Sequence, residues 1–243
     1  MDPRRDQEGR DELDHHVGVI EMARGRLVVF EGGEGAGKST QLRRLAASLG
    51  DAGIAHRLFR EPGGTPAGDR IRDLLLHRSE PLAPRTEAAL FIASRAQLVA
   101  AEVVPALARG EHVLLDRFLL STYAYQVHGR GLPEAEVCSA NRMATAGLVP
   151  DLTLLLSLPP SEGLSRAGAR GGADRIERAD AAFHERVASA FRHFSASAWQ
   201  QQHPECGVIV AIDAVGSEGD VETRLRDAIT AQLPGFLTEP VRA

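Results

Sequence analysis

Apolar and polar positions along this chain follow two alternating rhythms. Residues 26–31, Arg26-Leu27-Val28-Val29-Phe30-Glu31, hold an unbroken apolar run, as expected of a short strand covered on both faces. After the glycine-rich stretch that follows, Leu42, Leu45, Ala46 and Leu49 recur at three- and four-residue steps, one face of a helix. Asp51-Ala52-Gly53 would stop that helix, with Gly53 suited to a left-handed cap. Residues 54–59, 111–116, 151–157 and 207–212 read as four further strands. Helical periodicity fills the gaps: a short helix bearing Ile71, Leu74 and Leu75, and one over 134–146. A long helix over 84–109 would make apolar contacts through Leu98, Val99, Val103, Val104 and Leu107, with Pro105 as a kink near its end. Another over 180–201 carries Phe183, Val187, Phe191, Phe194 and Ala198 on one side, and a last one spans 218–232. The segment 121–126 is irregular or helical and ends at Gly129-Arg130-Gly131. Strands alternating with helices in this way, without internal repeats, predict an α/β fold with a five-stranded parallel sheet and helices on both faces.

Composition narrows the setting. With 243 residues, 43% of them hydrophobic, the chain can bury one sizeable core. Residues 1–21 are rich in Arg, Asp and Glu without periodicity, which predicts a disordered tail (1–24) ahead of a domain over 25–232, with 233–243 as a C-terminal tail. Met22 stands where a natural start would lead straight into the first strand. A net charge of −5 argues against a nucleic-acid scaffold. Cys138 and Cys206 have neither metal nor redox spacing, which favours a reducing compartment. No apolar run reads as a membrane span and residues 1–24 lack a signal-peptide core, so a soluble, cytoplasmic enzyme with no membrane partner is expected.

The chemistry concentrates after the strands. Gly32-Gly33-Glu34-Gly35-Ala36-Gly37-Lys38-Ser39-Thr40 fits G-x-x-x-x-G-K-[ST], between a predicted strand and a predicted helix. A glycine-rich turn there can aim several backbone N–H groups at one anion, and the helix dipole adds favourable potential. Lys38 would supply a point charge to the β- and γ-phosphates, and the Ser39 hydroxyl a ligand for Mg²⁺. A glycine-rich hairpin turn would match the same letters, but the strand before and helix after favour a nucleoside triphosphate site. Asp116 closes a hydrophobic strand and would help to hold Mg²⁺ or its water shell, with Arg117 facing the same crevice; a strand-end Asp also simply caps turns. The loop 60–68 is too rich in Pro and Gly to be regular and falls at a strand end, where ligands collect in parallel sheets. Phe91 and Arg95, four apart, share a helical face able to stack a flat base and bond its edge; a core Phe beside a surface Arg gives the same spacing. Arg166, Arg170, Arg175 and Arg178, interrupted by Gly168, Gly171 and Gly172, suit either a mobile cover over phosphates or a solvated helix end.

These segments together resemble the thymidylate kinase family, phosphate-loop (P-loop) kinases of nucleoside monophosphates, over about residues 26–229. The resemblance rests on the loop 31–40, Arg60-Glu61-Pro62-Gly63-Gly64-Thr65, Phe91-Ile92-Ala93-Ser94-Arg95, residues 116–126 beginning Asp116-Arg117-Phe118, and Asp174-Arg175-Ile176-Glu177. It implies the three-layer P-loop NTPase fold with a mobile lid at about 164–178, and transfer of the γ-phosphoryl group of MgATP to dTMP, giving dTDP and ADP. By the same resemblance, Phe91 would stack on thymine, and Arg95 and Gln126 would bond its edge. Arg72 and Arg117 would hold the acceptor phosphate, and Glu34 would sit near the 3′-hydroxyl. Tyr125 would crowd the place of a 2′-hydroxyl, and Glu61, Pro62 and Thr122 would line the pocket. Gly35 and Ala36 leave the loop without the arginine some relatives place there, so the catalytic arginine would come from the lid: Arg166, Arg170 or Arg175. Gly168 stands where some relatives of this type have arginine, and Ser157 where an acid is common. A homodimer is implied by resemblance alone.

The residues absent fit the same chemistry. A phosphate monoester has a second pKa of ~6, so at neutral pH the acceptor oxygen needs no proton removed. Two polyanions need cations to approach, then in-line alignment. Two rivals remain: a nucleotide switch, for which a guanine-reading Asn-Lys-x-Asp element is absent, and a kinase for a nucleoside or small alcohol, under which the two arginines for an acceptor phosphate would go unexplained.

Overall fold

A computed structural model describes residues 24–78, 80–169 and 174–239. The expected N-terminal tail (residues 1–23 of it) and the Met22 start lie outside the described residues, as do residues 240–243.

Five strands, β1 (Leu27–Gly32), β2 (His56–Arg60), β3 (His112–Asp116), β4 (Leu152–Ser157) and β5 (Ile209–Asp213), form one wholly parallel sheet in the order β2-β3-β1-β4-β5. The central strand, β1, is buried along its whole length, which is why its sequence is apolar without alternation. Side chains nevertheless leave it alternately for two cores. Val29, Val113, Leu115 and Leu155 face one, and Val28, Phe30, Leu114, Leu152, Leu154 and Leu156 face the other. Helices α1 (Lys38–Asp51) and α10 (Glu218–Gln232) close the second core through Leu42, Leu45, Leu49, Val221, Leu225 and Ile229. On the other face lie α2 (Pro66–Arg72), α3 (Pro84–Leu98), α4 (Val104–Ala108), α5 (Leu119–Thr122), α6 (Glu134–Thr145), α8 (Ala181–Phe194) and α9 (Ser197–Gln202). A further helix, α7 (Pro160–Ala169), follows β4. The predicted three layers are present.

Several boundaries differ from the sequence reading for local reasons. The helix over 84–108 continues through Pro105, because a wide turn at Val99–Val103 makes room for a residue that has no N–H and crowds the carbonyl of Ala101. Val104 is exposed rather than packed. By length and hydropathy this helix could cross a membrane, contrary to the reading that no such segment exists. Its Leu98, Val99, Val103, Ala106 and Leu107 are instead buried in the same core as Val113 and Leu115. The expected single helix over 180–201 breaks after Phe194, which re-phases the chain. Trp199 becomes the buried residue, 4.3 Å from the Phe194 ring and stacked 3.8 Å from His203, and Ala198 is exposed.

The C-terminal segment is also more than a tail. After α10, Leu233, Phe236 and Leu237 pack on the core, and Phe236 stacks 4.4 Å from His112. Burial first, and then Arg26, pushes the His112 imidazole down to about 4, so it is neutral here and accepts the Arg26 N–H through Nδ1.

Candidate functional site

Strand order reverses between β1 and β3, and the residues that follow these two neighbours meet at their carboxyl ends. Phe30 lies opposite Asp116 in register, and the Arg117 N–H donates to the Phe30 carbonyl. The phosphate-loop sequence therefore leaves β1 beside the Asp116-Arg117 pair that leaves β3.

Gly37 takes the left-handed conformation (φ 87°) at the start of α1, and no side chain caps that helix. Its first N–H groups are thus open to an anion. Gly35 is also left-handed (φ 70°), and a β-carbon there would lie 2.0 Å from the Gly163 carbonyl oxygen of α7. Any side chain at this position would meet the backbone of α7. Lys38 folds over the loop, donating to the Gly32 and Gly33 carbonyls at 3.0 and 2.8 Å. Burial, with Arg117 adding to it, lowers the Lys38 amine to about 8 despite Glu34 and Asp116 nearby. The Ser39 hydroxyl donates to Asp116 Oδ2 at 2.6 Å, so both oxygens named for Mg²⁺ face one point.

Arg117 is held in a positive-φ conformation (70°) that non-glycine residues rarely adopt. Its Nη1 donates to Ser121 Oγ (3.0 Å) and the Gly32 carbonyl (3.2 Å), and its Nη2 to Glu34 Oε1 (2.6 Å). Tyr125 OH donates to the same Glu34 oxygen at 2.7 Å, and the Arg117 guanidinium lies over the Tyr125 ring. Burial opposes the Arg117 charge, but Glu34 together with Tyr125, Asp116 and Glu31 outweighs it, and the guanidinium is held more firmly protonated than usual. Behind these, Glu31 is fully buried and accepts from Phe118 N–H, Ser121 N–H and Ser121 Oγ, at 2.8, 3.0 and 2.7 Å. It braces the turn that carries Arg117.

The facing wall comes from the loop after β2 and from α3. Glu61 and Pro62 are joined by a cis peptide, and Arg72 donates to the Pro62 carbonyl at 2.8 Å. Arg95 is 2% exposed. Its Nε and Nη2 donate to Glu61 Oε2, its Nη2 also to the Phe118 carbonyl, and its Nη1 to Thr122 Oγ1 and Asn141 Oδ1. All five guanidinium N–H groups are thus committed within the chain. Arg95 was expected to bond a base edge; any such bond would be shared with one of these acceptors. Burial drives the Glu61 carboxyl up, to about 7, against the opposing pull of Arg95. Stripping Glu61 from this pair would leave a buried cation uncompensated, at a cost of ~3–5 kcal/mol.

Arg175, one of three arginines named for the transferring group, is turned away. Its Nε donates to the Leu75 carbonyl and its Nη2 to Glu87, both at 2.7 Å, and it does not line the cavity described next. Arg166 does line it. Arg170 lies outside the described residues.

One cavity of about 700 Å³ joins these groups. Glu34 to Thr40, Arg117, Asp116 and Arg166 border it, with Glu61, Pro62, Arg72, Phe91, Arg95, Thr122, Tyr125 and Gln126. Gly32 and Gly33 sit behind the loop, acting through the carbonyls that bind Lys38. A further wall that sequence reading did not name is made by Gln41, Ala214, Gly216, Ser217, Glu218 and Val221, between α1 and the loop after β5. Glu31, Ser121, Asn141 and Glu87 were given no role. Glu31 and Ser121 lay inside the motif segments 31–40 and 116–126, and Glu87 stands four residues before Phe91 and eight before Arg95, on the same helical face.

Comparison with known proteins agrees with this geometry. The thymidylate kinase family model matches residues 30–202. A thymidylate kinase of Deinococcus radiodurans is 44% identical over 209 residues, covering 86% of this chain and 98% of the relative. One from Synechococcus sp. is 44% identical over 208 residues (86% and 96%), and one from Pseudomonas putida 45% over 214 residues (88% and 97%). Matches of this extent, the family model taking in the phosphate loop and the Asp116-Arg117 turn, place the chain in the thymidylate kinase family.

Proposed function

We propose that this chain transfers the γ-phosphoryl group of ATP to dTMP, producing dTDP and ADP by direct in-line displacement. The observation that carries the reading is the single cavity in which the phosphate loop, Arg117 and Arg72 stand around one space, with Phe91 and Gln126 on its wall.

The triphosphate would lie along residues 32–40, its β- and γ-phosphates on the loop N–H groups and the Lys38 amine. The surface of Gln41, Ala214, Gly216 and Val221 would receive adenine. Ser39 and Asp116, whose oxygens meet at 2.6 Å, are the residues that would help to hold Mg²⁺ beside the phosphates. Among the described residues no cluster of three or more acidic, His or Cys side chains could hold a metal alone, so these two would share it with the nucleotide. When bound, Mg²⁺ would neutralise charge between the β- and γ-phosphates.

The acceptor monophosphate would be held by Arg117 and Arg72, with its oxygen already ionised and no base required. Arg166, on the helix that packs over Gly35, would carry charge to the transferring group. Phe91 would stack on the pyrimidine, Glu34 would accept the 3′-hydroxyl, and Tyr125, fixed by its bond to Glu34, would fill the space of a 2′-hydroxyl. Thr122, Glu61 and Pro62 would form the floor. The protein would act in the cytoplasm as a homodimer, without nucleic-acid or membrane partners.

Incubation with ATP and a panel of monophosphates and free nucleosides tests the reading. dTMP should be the preferred acceptor and dUMP a poor but measurable one, since one methyl group in a pocket discriminates ~10–200-fold. Equal use of dUMP, or use of free nucleosides alone, would contradict it.

A further inference from the structure

Glu87 lies in the first turn of α3 and is 1% exposed. Its four hydrogen-bond contacts all come from donors. Oε1 accepts from Gln126 Nε2 and Arg130 Nε, each at 3.1 Å; Oε2 accepts from Arg130 Nη2 at 3.0 Å and Arg175 Nη2 at 2.7 Å. Burial alone would raise this carboxyl, but the bonds from Arg130 and Arg175 overcome it and hold it below the usual range.

An ionised carboxylate can only accept. Of the two ends of the Gln126 side-chain amide, only the nitrogen can therefore face Glu87. The amide oxygen is left to the cavity that Gln126 lines. Rotating the amide by half a turn would set its oxygen against a carboxylate oxygen and lose the bond. The sense in which Gln126 meets a ligand is thus decided one residue further back.

We propose that Glu87 is a positioning residue which locks the Gln126 amide oxygen toward the cavity, making the acceptor site select pyrimidines that carry an N3–H. This rests on the proposed function and on the base-edge bond that the family resemblance implies for Gln126. Thymine and uracil donate from N3 and meet an acceptor; cytosine offers a bare N3 and meets an acceptor with another. A site built around such a bond rejects the mismatched partner by as much as ~10⁴–10⁵-fold. Through Arg175, the same carboxylate also ties the segment 174–178 to α3.

The test compares dTMP with 5-methyl-dCMP, which keeps the methyl group and the size of thymine and exchanges only the pattern of donors and acceptors. Wild-type protein should prefer dTMP strongly in kcat/KM. Equal use of the two by the wild type would overturn the base reading itself. In Glu87→Gln the neutral amide can donate or accept, freeing Gln126 to turn, and the dTMP to 5-methyl-dCMP ratio should fall ~10-fold or more. A proportional loss on both substrates with an unchanged ratio would show a merely structural role and overturn the proposal alone. Should Glu87→Gln not fold, Glu87→Asp keeps the anionic acceptor. It should lower kcat/KM while holding the ratio within about threefold of wild type, and a collapsed ratio there would equally overturn the proposal.

Discussion

Arg117 and Glu34 share a 2.6 Å hydrogen bond across the mouth of the phosphate loop, tying the turn after β3 to the loop after β1. Tyr125 donates to the same carboxylate oxygen, so three side chains from three segments are fixed at one point. Glu34 fixes the direction of the Arg117 guanidinium in this partly buried place, so an arriving phosphate would find it already oriented.

Replacing Arg117 by Ala should lower kcat/KM for dTMP by ~10²–10³-fold, the scale of one preorganised charge at a reacting phosphate. The dissociation constant for ATP should change by less than about tenfold. Steady-state kinetics with dTMP varied, beside direct ATP titration, separates the two. An unchanged dTMP profile would remove Arg117 from the acceptor site.

The Lys38 amine, lowered to about 8, gives a pH dependence of known sign. A bound triphosphate favours the protonated amine, so the free protein must take up a proton on binding when pH exceeds about 8. ATP affinity should weaken as pH rises from 8 to 9, with proton uptake visible by calorimetry in buffers of different ionisation enthalpy. Lys38→Met should bind ATP weakly and without that uptake. Proton release, or none, in the wild type would contradict the burial argument.

His112 concerns stability rather than turnover. Its folded value of about 4 lies below the ordinary 6.5, so between those values the unfolded chain binds more protons than the folded one. Stability is therefore full above about 6.5 and lost as pH falls toward 4, by ~1–2 kcal/mol near pH 5. His112→Gln keeps an acceptor for the Arg26 N–H without a titrating ring, and should flatten the slope in urea unfolding at pH 7 and pH 5. Equal slopes in both proteins would show that His112 is not the group responsible.

Gly35→Ala places a β-carbon 2.0 Å from the Gly163 carbonyl oxygen, at a backbone conformation that disfavours any side chain. The loop or α7 must shift. A displacement near 1 Å at a reacting centre costs ~10²-fold in rate, so kcat should fall by about that much while the chain remains folded. Near-wild-type kcat would mean that α7 does not pack on the loop during turnover.

The sheet, the phosphate loop and the Asp116-Arg117 turn were legible in the sequence because each is local: an apolar run, then glycines or an acid at a fixed offset. The helix break after Phe194 was not, because Trp199 is drawn inward by stacking on His203, a contact of tertiary origin. The true partners of Arg95 were equally hidden. Glu61, Thr122 and Asn141 lie 34, 27 and 46 residues away and converge only in the fold. Phe91 and Arg95 were found by their spacing of four, and the same rule reaches Glu87, but a lone acid in a first helical turn reads as a dipole partner rather than a buried hub. Arg175 was assigned by a short motif, which cannot say which way a side chain turns.

The central claim is that one cavity brings a triphosphate tail and an ionised monophosphate end to end. A single-turnover reaction with γ-³²P-labelled ATP and excess dTMP tests it most directly. The label should appear in the β-phosphate of dTDP at the rate ATP disappears, with negligible free phosphate. Label released as inorganic phosphate while dTMP stays unmodified would contradict the account.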